Sequence, residues 1–517
     1  MKKIFLNFLI VAPFIYCYGQ DSDYKDLDSV DYKGEITNVL DESLVRNPLS
    51  KVGRKRAQKN TISFNKNQVK NLEFQNGINC AWVNYSRDVG YSKKESKNFK
   101  PDIAEFTKRI ESVKNAGGNL IRWWWHTNGE TSPVYGVDGL VVNSPFDFSK
   151  EIIKILDIAE ENGVKIQICL WSFDMLRKQY NNEHLIPYNK RLLTEDVAWK
   201  SYWDNCLSQV VTSVGNHKGL FAWEIFNEAA LMTELSSWNG KSEGQEGDNG
   251  LFLDKVKMVD IVKFVNKTCA AIKKLQPDVM VTTGALGMIT NVNDNSDPSN
   301  IYFNYYSDDY LRKIGGEPLG VLDFYNIHYY GWMGVKGSPF HRSKKEVALD
   351  KPTIIAEFYP YNLKHPMNNF KDSEKVDDIP RDMLGPMLVE NNYDGALTWA
   401  WSENTRKEYP TDFELDLKPI IESINEKLNI TLGQNISFIA AEGVDKIKYN
   451  SDQNLIVIDN TPKGSVFELF NIVGKSLISI EPKFEKFQVD ISQFGIGVYV
   501  AILKHNSKIY RFKFVKT

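Results

Sequence analysis

The chain has 517 residues, a formal net charge of -3 and 42% hydrophobic residues, room for one large globular domain and a smaller one. A balance this even excludes nucleic acid and anionic membrane as the main partner. Beyond the first 20 residues, no segment is long and apolar enough to predict a membrane span.

The basic start Met1-Lys2-Lys3 and the apolar run Ile4 to Tyr16, broken only by Asn7 and Pro13, predict an export signal over residues 1–19. Small Gly19 is the candidate last residue before cleavage, and bulky Tyr16 argues against a lipid anchor on Cys17. Residues 20–71 are polar, charged and aperiodic, and read as an extension or linker. Their cluster Arg46, Lys51, Arg54, Lys55, Arg56 and Lys59 reads as a solvated charge run.

From residue 72 to 430 the pattern is strand, then helix, repeated. Strand candidates are Gly77–Tyr85, Asn119–Trp125, Lys165–Trp171, Leu220–Asn227, Val279–Gly284, Val321–Tyr329, Thr353–Phe358 and Ala396–Trp401. Helical stretches between them include Pro101–Asn115, Lys150–Glu161, Val197–Val214, Asp254–Leu275, Ile379–Asn391 and Lys418–Lys427. Stop signals such as Asn162-Gly163 close several of these before the next strand. Such alternation predicts the α/β class, a (β/α)8 TIM barrel, with an open doubly wound sheet as the alternative. No glycine-rich phosphate loop follows the first strand, which removes the usual nucleotide-binding use of the open sheet. Cys80, Cys169, Cys206 and Cys269 show neither CxxC nor zinc spacing; one disulfide is permitted, none demanded. Residues 435–517 change texture to short strands at Lys446–Tyr449, Leu455–Ile458, Val466–Asn471, Ser476–Ile480, Phe487–Ile491, Val498–Leu503 and Ile509–Val515, which predict a small all-β sandwich.

A barrel of this type carries its active site at the C-terminal strand ends. Those ends are Arg122, Trp125 and His126, then Trp171, then Asn227 and Glu228, then His328 and Tyr330, then Glu357, then Trp399 and Trp401. Glu228 and Glu357 each close an apolar run, where an unpaired carboxylate is costly. On two strands of one barrel they can face each other across a sugar ring, the arrangement a glycosidase needs; the bland reading is two ordinary salt bridges. The 12 Trp and 24 Tyr suit either a large core or platforms for sugar rings. Glu224, four residues before Glu228, falls on the same face but deeper, and reads as structural. His126 is read either as a sugar contact or as a structural residue. No set of residues has metal spacing, so no metal or other cofactor is expected. A serine-hydrolase reading fails for want of a Gly-x-Ser-x-Gly elbow.

The Asn227-Glu228 pair, His328-Tyr-Tyr330, Glu357 and the terminal Trp resemble the clan of retaining (β/α)8 glycoside hydrolases, and most closely family 5, the cellulase and mannanase family. The resemblance covers roughly residues 75 to 430 and implies Glu228 as general acid/base and Glu357 as nucleophile. Arg122 and Tyr330 are the candidate donors that keep Glu357 ionised. Asn227 is implied to bond the sugar 2-hydroxyl and His328 to line the site. Trp401 is implied as the floor under the sugar, with Trp399 as second choice; Trp171 and His126 complete the expected substrate contacts. Thr398-Trp-Ala-Trp-Ser402 looks closer to bacterial β-mannanases than to endoglucanases. The expected activity is therefore retaining endo-cleavage of β-1,4-mannan. Endo-β-1,4-glucanase is the alternative, and a non-catalytic surface glycan-binding barrel the reading from another class. The long segment 231–251 is an expected subsite loop.

In the C-terminal region, Phe467-Glu-Leu-Phe-Asn-Ile-Val-Gly474, Gly497-Val-Tyr499 and the basic end Arg511-Phe-Lys-Phe-Val-Lys516 resemble sorting domains of the type IX secretion system. That implies export to the medium or the cell surface and the secretion machinery as a partner. A carbohydrate-binding sandwich is the runner-up. The substrate partner is a polysaccharide or oligosaccharide, and a monomer is expected.

Overall fold

The computed structural model describes residues 72–178, 183–235, 254–293, 302–365, 377–401 and 411–435, and, towards the C-terminus, 446–450, 453–459, 461–471, 476–495, 497–506 and 508–516. The predicted export signal, the 20–71 extension, most of the 231–251 loop and the turn after Asn471 lie outside the described residues. The chain divides into two compact units, Met1–Lys427 and Leu428–Thr517.

The first unit is a closed barrel of eight parallel strands: β1 Gln75–Asn79, β2 Leu120–Thr127, β3 Lys165–Ser172, β4 Leu220–Asn227, β5 Met280–Ala285, β6 Tyr325–His328, β7 Thr353–Glu357 and β8 Gly395–Thr398. Each strand pairs with its sequence neighbours, and β1 closes the ring against β8 and β2. The strands are buried almost throughout, as a parallel sheet covered by helices requires. Closure brings β1 and β2 so near that a Cβ on Gly77 would lie 1.7 Å from the Leu120 carbonyl oxygen, so only glycine fits there.

The outer layer is α1 Ile103–Asn115, α2 Phe148–Asn162, α3 Ile186–Thr194, α4 Asp196–Tyr202, α5 Ser208–Val214, α6 Met258–Leu275, α7 Asp308–Gly315, α8 Arg381–Glu390 and α9 Lys418–Asn435. Caps mark their ends: Asp147 accepts from the Lys150 amide at the start of α2, and Gly163 at φ 69° closes it. The helix expected over Val197–Val214 is α4 and α5 joined through a π-turn at Trp203–Leu207. Between β6 and β7 the chain carries only 3-10 turns, so one barrel unit lacks its α-helix.

The expected strand through Tyr85 stops at Asn79. The chain then runs beside β2, with the Cys80 amide on the Arg122 carbonyl and the Trp124 amide on the Ala81 carbonyl. It turns where the buried Asp88 carboxylate takes the amides of Val83 (2.9 Å) and Asn84 (2.7 Å). The four cysteines within the described barrel are buried and unpaired. Among the described residues no helix is long and apolar enough to cross a membrane.

The second unit holds seven antiparallel strands: β9 Lys446–Asn450, β10 Leu455–Asp459, β11 Val466–Asn471, β12 Ser476–Ile480, β13 Phe487–Asp490, β14 Gly497–His505 and β15 Lys508–Lys516. They form two sheets, β9-β10-β13 and β12-β11-β14-β15. Alternate residues of both sheets, among them Ile456, Ile458, Phe467, Leu469, Ala501 and Leu503, share one core. That alternation is the sandwich pattern expected from the sequence.

Candidate active site

A single guanidinium organises the C-terminal mouth of the barrel. Arg122 of β2 grips Glu224 of β4 with two hydrogen bonds, of 2.6 and 2.7 Å. Its Nη1 reaches Glu357 at 2.5 Å and Asn79 at 2.9 Å, and its Nη2 reaches Asn227 at 2.9 Å. Gln167 of β3 adds a bond of 2.7 Å to Glu224. All these groups are shut off from solvent, so each charge needs its partner. The Tyr330 hydroxyl donates to the second oxygen of Glu357 at 2.6 Å.

Glu228 is held differently. It follows β4 in the left-handed region, at φ 48° and ψ 41°, which a non-glycine residue adopts only under constraint. Its amide donates to the Gly284 carbonyl at 3.0 Å, and one carboxylate oxygen lies 2.8 Å from Nδ1 of His328. The same nitrogen is 3.5 Å from Glu357, so the imidazole stands between the two acids. One oxygen of each carboxylate and a nitrogen of His328 lie within 4.8 Å of one another. Gly284 makes room for this grouping: a Cβ there would meet Glu224 at 2.4 Å and His328 Nε2 at 3.2 Å.

Three β-bulges set which side chains reach the site. Between Glu224 and Asn227, three steps on β4 stand against two on β5. The extra residue lets Glu224 and Asn227 both reach Arg122, while Phe226 packs on Phe264 of α6. A similar shift lies between Trp124 and Thr127 on β2, and β7 carries an extra residue before Glu357.

Burial pushes the Glu357 carboxyl up to about 7, with Glu224 adding to the rise, against the pull of Arg122 and Tyr330. Burial and the Arg122 charge hold His328 well below its ordinary value, so its ring is neutral. Asp174, just beyond β3, is raised to about 6 by burial, against hydrogen bonds from Ser172 and Tyr85. Glu228, His328 and Glu357 are a donor set large enough for a cation. However, Arg122 and Tyr330 already take the Glu357 oxygens, and the fixed guanidinium opposes a second positive charge.

The expected site residues divide into two groups. Arg122, Asn227, Glu228, His328, Tyr330 and Glu357 converge. Trp171 and His126 do not: Trp171 donates to the Tyr202 hydroxyl of α4 at 3.2 Å. His126 has Ser132 and Tyr202 on its two ring nitrogens, at 2.8 and 3.0 Å. The bulge on β2 turns His126 off the lumen face. Trp171 stands in register with Phe226, which also faces the helices.

The choice of floor is also corrected. Trp401 stacks on Phe413 at 4.5 Å and lies over Lys108 and Arg109 of α1, outside the barrel mouth. Trp399 lies 5.5 Å from Trp124, whose ring is 5.2 Å from the Arg122 guanidinium. Trp399 is therefore the indole beside the carboxylates, and its peptide bond to Ala400 is cis.

Sequence reasoning missed Asn79, Ser172, Gln167 and Gly284. Asn79 and Gln167 carried a signal, a polar side chain inside an apolar strand; Ser172 and Gly284 carried none.

No family model matches the chain. It is similar to a mannan endo-1,4-beta-mannosidase of Mytilus edulis, 29% identical over 336 residues, 63% of this chain and 83% of the relative. A second relative of the same name, from Cryptopygus antarcticus, is 26% identical over 353 residues, 64% of this chain and 80% of the relative. The crystal structure of a β-mannanase from Mytilus edulis superposes with a TM-score of 0.53 at 26% identity, covering 69% of this chain and 92% of that one. The barrel thus has the fold of the family 5 type of glycoside hydrolase, with sequence similarity to mannanases.

Proposed function

We propose that the chain is a retaining endo-β-glycoside hydrolase acting on β-1,4-mannan. The observation that carries this is the pair of buried carboxylates within 4.8 Å, one on a guanidinium and a phenol, the other on a neutral imidazole. Retaining enzymes hold their carboxyl groups about 5–5.5 Å apart, whereas inverting ones leave room for a water between them.

In this reading Glu357 attacks the anomeric carbon while Glu228 gives its proton to the departing glycosidic oxygen. A covalent glycosyl-enzyme forms and the aglycone leaves. Glu228 then takes a proton from water, which attacks the same carbon and releases Glu357. Neutral His328 can donate from Nδ1 to one Glu228 oxygen and so leave the acid proton on the other. Asn227 spends its carbonyl on Arg122, which turns its amide toward Ser172 (3.4 Å) and an incoming 2-hydroxyl. Trp399 supplies the apolar face under the ring.

Mannan as substrate is supported by the names of the similar proteins. The test is reducing-sugar release by the full chain on mannan, glucomannan, cellulose, xylan and laminarin, beside Glu228→Gln and Glu357→Gln. Release from mannan that both substitutions abolish is expected; release from cellulose alone would replace the substrate by glucan. Export through residues 1–19 and sorting through the C-terminal sandwich belong to the same proposal, supported by the sequence motifs. Loss of the secreted protein on deleting residues 435–517 in a type IX host checks that part.

A further inference from the structure

A cavity of about 780 Å³ opens beside the site, walled by the loop after β1, the loop after β2 and the residues leading into α3. All three leave C-terminal strand ends, so the cavity shares the rim of the barrel with the carboxylates. Its size is that of a ligand pocket. Tyr85, Tyr91, Tyr135 and Tyr188 line it.

Two separate chains of contacts join it to the reaction centre through Tyr85. The first is aromatic: Trp399 lies 6.2 Å from Trp82, and Trp82 lies 4.9 Å from Tyr85. The second is polar: Tyr85 bonds Asp174, the Ser172 hydroxyl donates to Asp174 at 2.8 Å, and Asn227 donates to Ser172 at 3.4 Å. The charges in the wall are largely paired, since Arg87 bridges Glu95 (3.5 Å) and Glu130. Paired charges, phenol hydroxyls and ring faces suit a neutral polyhydroxylated chain.

We propose that this cavity is a remote subsite that holds further neutral β-linked hexose units of the chain being cleaved. The proposal rests on the glycosidase reading, and the experiment separates the two. Trisaccharides and hexasaccharides of the manno-, cello- and xylo- series are titrated calorimetrically into the full-length Glu357→Gln protein. Cleavage of the same sugars by the parent is measured alongside. Tyr91→Ala and Tyr188→Ala are then made in both backgrounds; both side chains are half-buried, so neither leaves a core cavity.

A gain in affinity from tri- to hexasaccharide is expected in one series. Each variant should cut the hexa-to-tri ratio, in Kd and in kcat/KM, about tenfold, the scale of one lost aromatic platform. No gain in any series, or a ratio that neither variant moves, would overturn the subsite; parent turnover with an unmoved ratio would do so while leaving the hydrolase standing. A gain lost in the variants, without turnover by the parent, keeps the subsite and overturns the hydrolase. A gain that vanishes at high salt would point to a charged chain held by Lys93 and Lys94, and overturn the neutral occupant.

Discussion

The two sides of the site hold the same residue type in opposite electrostatic settings. Around Glu357 the wall formed by β2 and β7 supplies a guanidinium at 2.5 Å and a phenol at 2.6 Å, which favour the anion. Around Glu228 the wall formed by β4 and β6 supplies an imidazole that burial keeps neutral. Both acids are equally buried, so burial cannot distinguish them; the neighbours do. An acid and a nucleophile can thus be made from one side chain by the charge placed against it.

The strongest test removes one acid at a time. Glu357→Gln should lower kcat about 10⁴-fold or more on every substrate, and Glu228→Gln about 10²–10⁴-fold on polysaccharide. Only Glu228→Gln should keep a fast first step on an aryl glycoside whose leaving group needs no proton, seen as a burst in stopped-flow. Equal losses on both substrates would erase the division of roles. Next in size is the shared cation. Arg122→Met leaves Glu224 and Glu357 buried without a counter-charge and should lower the unfolding free energy by about 3–5 kcal/mol, read from denaturant curves.

Two milder substitutions should move the acid limb of the pH–rate profile in opposite directions. In the parent that limb should fall near 7, because Glu357 must lose its proton to attack. Tyr330→Phe removes a donor that favours the anion, so the limb moves to higher pH and kcat falls about tenfold. Glu224→Gln removes an anion that raises Glu357, so the limb moves to lower pH. Shifts of the same sign would contradict the assignment of the neighbours. The smallest contrast is between the indoles: Trp399→Ala should raise KM, and Trp401→Ala should leave it within about twofold, since that ring lies against α1.

Much of the fold is legible in the local pattern. The run over β4 reads correctly to the residue, Leu220–Asn227, because a continuous apolar stretch ends at a polar pair. The seven C-terminal strands are legible because apolar residues alternate along them. The ends of β1, β6 and β8 are not, since the ladder there stops where neighbouring strands and loops stop offering partners.

Residue chemistry alone singled out Glu228, Glu357, Arg122, Asn227, His328 and Tyr330, because buried charges and amides at strand ends are costly unless they serve one another. Local sequence could not reveal the bulges, which depend on the register between strands. One added residue reverses inside and outside for everything after it, which sends His126 and Trp171 toward the helices. It likewise could not decide between Trp399 and Trp401, two residues apart, or show that one arginine would hold two glutamates. Those outcomes belong to the tertiary structure, because the closed barrel alone brings β2, β4 and β7 to a single guanidinium.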